Sequence, residues 1–342
     1  MILNVHNHYF TADDVAKNIF GWNVKPLVTS KVGNFLSKKV LKVISCFTSK
    51  HDRVLKVVEI AGMTTKEIFL KQYNQYPAGT QFVGIAIDME YMNAGKVKRK
   101  YKNQVKDLFK LSKSYPVLPF IHIDPRRDYI ELFENCVKKG LKGVKLYPAM
   151  GYRPDDKRLN YLYRRCQELN LPIIVHSGEQ SPTHYKASKK RLKRLLEDSN
   201  VPYNNKMNKR QLCGQFGHPR YYKKLLEKYD VRFCFAHMGG GEAVNEYIIS
   251  PREDNVYKQF KELCRKYRNA YMDISFTMHD RRLWYLLKVL ISGDIGDKIL
   301  FGSDYYMSKV EVSEKSWSVE LRAFMGEKKY KKINKNSVIF VG

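Results

Sequence analysis

Eight short apolar runs are spread along the chain: residues 1–8 (MILNVHNH), 81–88 (QFVGIAID), 117–124 (VLPFIHID), 141–148 (LKGVKLYP), 171–178 (LPIIVHSG), 231–238 (VRFCFAHM), 269–276 (NAYMDISF) and 297–304 (DKILFGSD). Amphipathic helical stretches separate them. Near-continuous apolar strands alternating with helices predict a parallel sheet covered by helices, not an antiparallel sandwich. Over Asp128 to Lys139, Ile130, Phe133 and Val137 share one predicted helix face, and Gly140 supplies a C-terminal stop. Over Asp155 to Asn170, Leu159, Leu162, Cys166 and Leu169 recur at helical spacing, and the segment stops before Pro172. Eight strand–helix units in this order predict a (β/α)8 TIM barrel. An open doubly wound sheet competes with it, but no glycine-rich phosphate loop follows any strand. No internal repeat or low-complexity linker divides residues 1–342, so one barrel domain is expected. Two βα connections are long, 9–50 after the first strand and 177–217 after the fifth. In a barrel these lie over the catalytic end and are natural lid and substrate-pocket elements.

The candidate chemistry sits at the ends of the strands. Side chains two apart on a strand point to one side, so His6 and His8 project together with Asn4, opposite Leu3 and Val5. That parity puts the imidazoles inside the barrel. The fifth strand ends at His176, the sixth at His237 and the eighth at Asp304. Each alone reads most simply as a satisfied core or loop residue. Four histidines and a carboxylate at the same end of four strands are harder to explain by packing, because converging unpartnered polar groups are costly to bury. A divalent cation with three imidazoles and a carboxylate relieves that cost, and this donor set suits zinc.

HxH on strand one, GVKLYP on strand four, VHSGE on strand five, AHMGG on strand six and FGSD on strand eight resemble the amidohydrolase superfamily. Their spacing is most similar to its amidohydrolase-related branch, called amidohydrolase family 2. That branch includes metal-dependent hydrolases and non-oxidative decarboxylases such as aminocarboxymuconate semialdehyde decarboxylase. The resemblance runs from Met1 to INKNSVIF near the C-terminus. It implies that His6, His8, His176 and Asp304 hold one divalent metal, zinc by preference, and that His237 binds or activates water beside it. Lys145 occupies the place where binuclear relatives carry a carbamylated lysine, with no bridging role implied in this branch. Hydroxide generated at the metal would attack an amide, ester or lactone-like bond of a small substrate. Decarboxylation of an unsaturated or aromatic acid uses the same ligands, so these residues leave the two reactions open.

Further polar residues are candidates for substrate contact or for support of the ligands. Glu179 lies three residues beyond His176, and Asp273 shares a side of strand seven with Tyr271 and Ser275. Arg153, after strand four, is a candidate anion clamp. His122 and Asp88 end strands three and two and are candidate pocket residues, while His184 and His279 read as surface residues. Gly239, Gly240 and Gly241 lack the lysine of a phosphate loop and read as a close backbone approach to the site.

Composition narrows the classes. A hydrophobic fraction of 44% excludes a disordered chain, and no apolar run nears the ~20 residues that cross a bilayer. The N-terminus is too short and polar for a signal peptide, so no leader is expected before the fold. Six cysteines, never closer than 21 residues, form no CxxC and read as reduced core thiols of a cytoplasmic protein. The net charge of +28 comes from 62 Lys+Arg against 34 Asp+Glu. The two long loops carry +5 and +6 of it, a mild enrichment. Solvated helix faces account for most of the excess, and no nucleic-acid-binding module is recognisable. An anionic substrate steered by these loops is the sharper expectation, a homo-oligomer is compatible, and an idle barrel binding an anionic macromolecule is the outlying one.

Overall fold

The computed structural model describes residues 1–17, 63–178, 183–184, 187–305 and 313–342. Its eight strands are β1 (Leu3–His8), β2 (Gln81–Ala86), β3 (Val117–His122), β4 (Gly143–Leu146), β5 (Ile173–His176), β6 (Phe233–Ala236), β7 (Ala270–Asp273) and β8 (Ile299–Leu300). They form one sheet in sequence order, and every neighbouring pair is parallel. Beyond β8 the backbone continues beside β1. Val5 N donates to Phe301 O at 2.9 Å and Asp304 N to His6 O at 2.9 Å, which brings the sheet round into a barrel. The predicted TIM barrel is therefore observed, with each strand inside its predicted run.

The helices are α1 (Thr65–Tyr73), α2 (Tyr101–Ser112), α3 (Ile130–Lys138), α4 (Asn160–Glu168), α5 (Lys189–Asp198), α6 (Lys209–Gly214), α7 (Lys223–Lys228), α8 (Gly241–Ile249), α9 (Val256–Lys266), α10 (Trp284–Ser292), α11 (Glu314–Met325) and α12 (Glu327–Val341). In α3 the buried side chains are Phe133 and Cys136, whereas Ile130, assigned to the same face from the sequence, is 44% exposed. The helix starts later than the apolar spacing predicts, so Ile130 falls in its first turn and faces solvent. Gly140 follows α3 at φ +89°, where a left-handed residue closes the helix and Leu141 N reaches back to Cys136 O at 3.0 Å. No helix among the described residues is long and apolar enough to cross a membrane.

Two features position the site. Inside the barrel, Phe120 of β3 fills the space over Gly143, where a Cβ would come within 2.3 Å of the ring. At the seam, α12 holds the first and last strands: Leu3 N donates to Asn334 Oδ1 at 3.1 Å, and Phe301 N donates to Ser337 Oγ at 2.9 Å. The INKNSVIF segment thus fixes the register of β1 against β8, and with it the relation of His6 and His8 to Asp304.

Candidate active site

His6 and His8 leave β1 toward the barrel interior, as their two-residue spacing predicts. The β1–β2 register shifts between Asn4 and Asn7, and the Asn7 amide spans the irregularity by donating to Asn4 O at 3.0 Å and Val83 O at 3.1 Å. His6 Nδ1 lies 2.9 Å from Asp273 Oδ2, and His8 Nδ1 lies 3.3 Å from Ile85 O. A carboxylate and a carbonyl only accept, so each Nδ1 carries the hydrogen and each Nε2 presents a lone pair. Both Nε2 atoms face Asp304, at 3.8 Å from His6 and 3.3 Å from His8 to Oδ1. No hydrogen bond satisfies Asp304 Oδ1 or His176 Nε2, although both are buried.

His237 completes the cluster. Its ring centroid is 4.8 Å from that of His6 and 5.0 Å from that of His176. Its Nδ1 lies 2.9 Å from Ser275 Oγ and 3.3 Å from Ser275 O, while its backbone N donates to Asp273 Oδ1 at 3.0 Å. Ser275 Oγ also lies 3.1 Å from His6 Nδ1 and donates to Asp273. One serine thereby ties β7 to both imidazoles. The backbone bends sharply here: His237, Met238, Phe276 and Asp304 all have φ between 54° and 63°, a region that costs a non-glycine residue ~1–3 kcal/mol. Such bends turn the ends of β6, β7 and β8 inward.

Burial keeps the imidazoles neutral. It lowers His6 to about 3, with Lys145 adding to the effect, and it drives His176 well below its ordinary value and His237 down as well. Burial opposes ionisation of Asp304 and Asp273, but contacts with His8 and His6 outweigh it and hold both carboxyls below the usual range. Neutral imidazoles beside ionised carboxylates are the protonation states that metal ligation needs. Ligand-type atoms of His6, His8 and Asp304 lie within 4.8 Å of one another, as do those of His6, His237 and Asp273.

Lys145 is fully inside the barrel, with Nζ 3.1 Å from His6 Nε2, and burial lowers it to about 8. Arg153 lies outside this group. Its guanidinium pairs with Asp155, donates to Asn200 O at 3.1 Å and sits 4.4 Å over the Tyr221 ring. Glu179 and most of the 9–50 connection lie outside the described residues, as does Cys46. The five described cysteines are free and buried. Of the glycines after His237, Gly239 packs against a helix, where a Cβ would meet Phe260 of α9 at 3.3 Å, and a Cβ on Gly241 would meet nothing within 4 Å. His184 and His279, read as surface residues, are not. His184 is buried, and His279 stacks on Trp317 with centroids 4.4 Å apart. A small cleft opens beside His176, lined by Ser177, Gly178, Gly214, Gln215, Gly217 and His218 among others.

Sequence reasoning passed over a second buried polar cluster next to the site. Gln72 of α1 donates to Asn7 Oδ1 at 2.6 Å and Glu314 Oε1 at 2.9 Å and accepts from Tyr9 Oη at 2.7 Å. Tyr76 Oη donates to Glu314 at 2.9 Å, and Asn4 donates to Ser303 Oγ at 2.9 Å. The available signal was weak: a lone glutamine and glutamate on amphipathic helices look like solvated positions until the helices dock.

The amidohydrolase family model matches residues 83–324. Among solved structures, the chain is similar to the TIM-barrel protein Bb4693 from Bordetella bronchiseptica (15% identity, TM-score 0.52, covering 100% of this chain and 99% of that one). It is also similar to 4-oxalomesaconate hydratase from Rhodopseudomonas palustris (13%, 0.52, 100% and 95%) and to amidohydrolase 2 from Bifidobacterium longum subsp. infantis (11%, 0.50, 99% and 98%). No curated protein sequence matches the chain. The family match spans well over half of the residues, so the chain belongs to the amidohydrolase family and is an enzyme.

Proposed function

We propose that this amidohydrolase-family enzyme is a metal-dependent hydrolase. In this reading His6, His8, His176 and Asp304 hold one divalent ion, zinc by preference, and the enzyme cleaves an amide, ester or lactone-like bond of a small anionic substrate. The observation that carries the reading is a meeting of acceptors. With its hydrogen on Nδ1, His8 aims a lone pair at the ionised Asp304 Oδ1 across 3.3 Å, and His176 Nε2 is buried nearby with no partner. Facing lone pairs repel, and a cation between them turns the arrangement into an attractive one. The outer contacts also fit, because ligating imidazoles ordinarily fix their second nitrogen on a carboxylate or carbonyl, as His6 does on Asp273 and His8 on Ile85.

When bound, the ion supplies Lewis-acid activation of water and of the scissile carbonyl. The side chains supply the rest. Asp273 orients His6, and Ser275 orients His237 by accepting from Nδ1–H, which leaves His237 Nε2 to take the proton of the attacking water. Lys145 now shares the His6 Nε2 lone pair. One lone pair serves one partner, so an ion held at that nitrogen would compete with the lysine for it.

Elemental analysis of the purified protein is expected to give about one equivalent of metal, lost in His176→Ala. Unchanged metal in that variant would contradict the ligand assignment. Product analysis on lactones, esters and amides then tests the reaction, and release of carbon dioxide would replace hydrolysis with decarboxylation.

A further inference from the structure

The 3-10 turn Thr277–His279 that follows β7 touches the backbone behind two of the site residues. Thr277 Oγ1 donates to His237 O at 2.6 Å. The Met278 carbonyl accepts from Trp284 Nε1–H at 2.7 Å and from Trp317 Nε1–H at 3.0 Å, so the indoles of α10 and α11 fix the turn in place. His279 Nε2 lies 3.0 Å from Ser303 O. A carbonyl only accepts, so Nε2 carries a hydrogen. The Trp317 ring lies against this imidazole with only 14° between the planes, which holds its orientation.

The importance of this bond lies in the peptide it holds. Ser303 C=O and Asp304 N–H belong to one planar unit, and Asp304 N donates to His6 O at 2.9 Å on its other side. Ser303 itself is tied to β1 through Asn4, whose Oδ1 accepts from Ser303 N at 3.1 Å and whose amide donates to Ser303 Oγ at 2.9 Å. The Ser303–Asp304 peptide is what remains to be oriented, and Asp304 sits at φ 57°, where a residue with a Cβ is strained. Phe276 N also approaches Ser303 O, but at 3.5 Å it is a weak second contact. A net hydrogen bond and the strain of a left-handed residue are of similar size, so one good bond at the carbonyl decides which way the peptide faces. Rotation of that peptide would relax φ and swing the Asp304 carboxylate away from His8.

We propose that His279 is a positioning residue for Asp304: by holding the Ser303 carbonyl, it keeps the Ser303–Asp304 peptide turned so that Asp304 Oδ1 faces His6 and His8. The service of Asp304 as a metal ligand rests on the site reading above; the hold on its backbone rests on these contacts alone.

The test uses the full-length protein, with cobalt(II) as the metal probe. In the metal-free wild type, ¹⁵N NMR is expected to show the His279 hydrogen on Nε2; a hydrogen on Nδ1 alone would overturn the proposal before any variant is made. His279→Phe keeps a ring against Trp317 and removes the donor, whereas His279→Gln keeps an N–H at about the same reach and gives up the stack. Exchange of the Asp304 amide hydrogen is followed without metal, against the Val5 amide, which bonds across the same seam to Phe301 O. Relative to Val5, it is expected to quicken ~10-fold or more in His279→Phe and less than about 3-fold in His279→Gln. Cobalt affinity, measured by competition with a chelator, is expected to fall ~10-fold or more in His279→Phe alone, with a shift of the visible bands of the bound ion. Equal quickening at Val5 and Asp304, or none at either, would make the ring packing only and overturn the proposal. Selective exchange at Asp304 in protein whose wild type binds no cobalt would support the hold and remove the metal reading instead. Selective exchange with equal cobalt affinity in all three proteins would keep the hold and take Asp304 out of the ligand set.

Discussion

Two buried polar clusters meet at β1, and they are built on opposite principles. In the cluster around Gln72, the amide uses both hydrogens and its oxygen, Tyr76 and Asn4 find acceptors, and no buried polar atom of these residues lacks a partner. Around His6, His8, His176 and Asp304, by contrast, lone pairs face one another and two ligand-type atoms are left unmatched. Matched polar groups in a low-dielectric interior fix one arrangement, here the docking of α1 and α11 against the β1–β8 seam. Unmatched ones mark a place waiting for something else. Asn7 lies on one cluster and its neighbours His6 and His8 on the other, so a single strand carries the boundary between scaffold and chemistry.

The two clusters are expected to respond to mutation in different ways. Asp304→Ala has the largest expected effect: metal affinity falls by more than the ~100-fold ceiling typical of outer contacts, read by competition with a chelator, while the denaturant midpoint of the metal-free protein moves little. Retention of metal would break the comparison. Gln72→Leu is expected to do the reverse. It strands Tyr9 Oη, takes one of two donors from Asn7 Oδ1 and from Glu314 Oε1, and lowers stability by ~1–3 kcal/mol in urea unfolding, with metal stoichiometry kept. Asp273→Asn tests the link between the two kinds of contact. His6 loses its charged anchor, and metal binding weakens ~10–100-fold without vanishing.

The smallest effect concerns acid. Burial, with smaller contributions from Arg126 and Lys145, lowers His122 to about 4 from 6.5, so between those values the unfolded chain binds a proton that the folded chain refuses. Stability therefore rises with pH across that window and falls as pH drops from 6.5 toward 4, by up to ~1.4 kcal/mol per pH unit for this one group. His122→Leu is expected to flatten the urea midpoint against pH by that share. An unchanged slope would show that the ring titrates as it does in solvent.

Much of this architecture was legible before any coordinates. The strand runs, the inward parity of His6 and His8 and the strand-end positions of His176, His237 and Asp304 follow from local periodicities of two and 3.6 residues. Arg153 was not legible in that way. Its position after β4 fits an anion clamp, but Asp155 two residues on and the Tyr221 ring claim the guanidinium. His184 and His279 failed for a related reason: neighbours brought in by folding bury the first and stack against the half-buried ring of the second.

The sequence by itself determined which residues stand at the barrel's catalytic end, because side-chain direction along a strand is a property of the strand alone. Only the tertiary structure decided which nitrogen of each imidazole is spent on scaffold and which is left for a ligand. His6 finds Asp273 from 267 positions away, and His237 finds Ser275 across a strand boundary. A ring's hydrogen goes to whichever partner is within 3 Å or so, and that partner exists only once the barrel has closed.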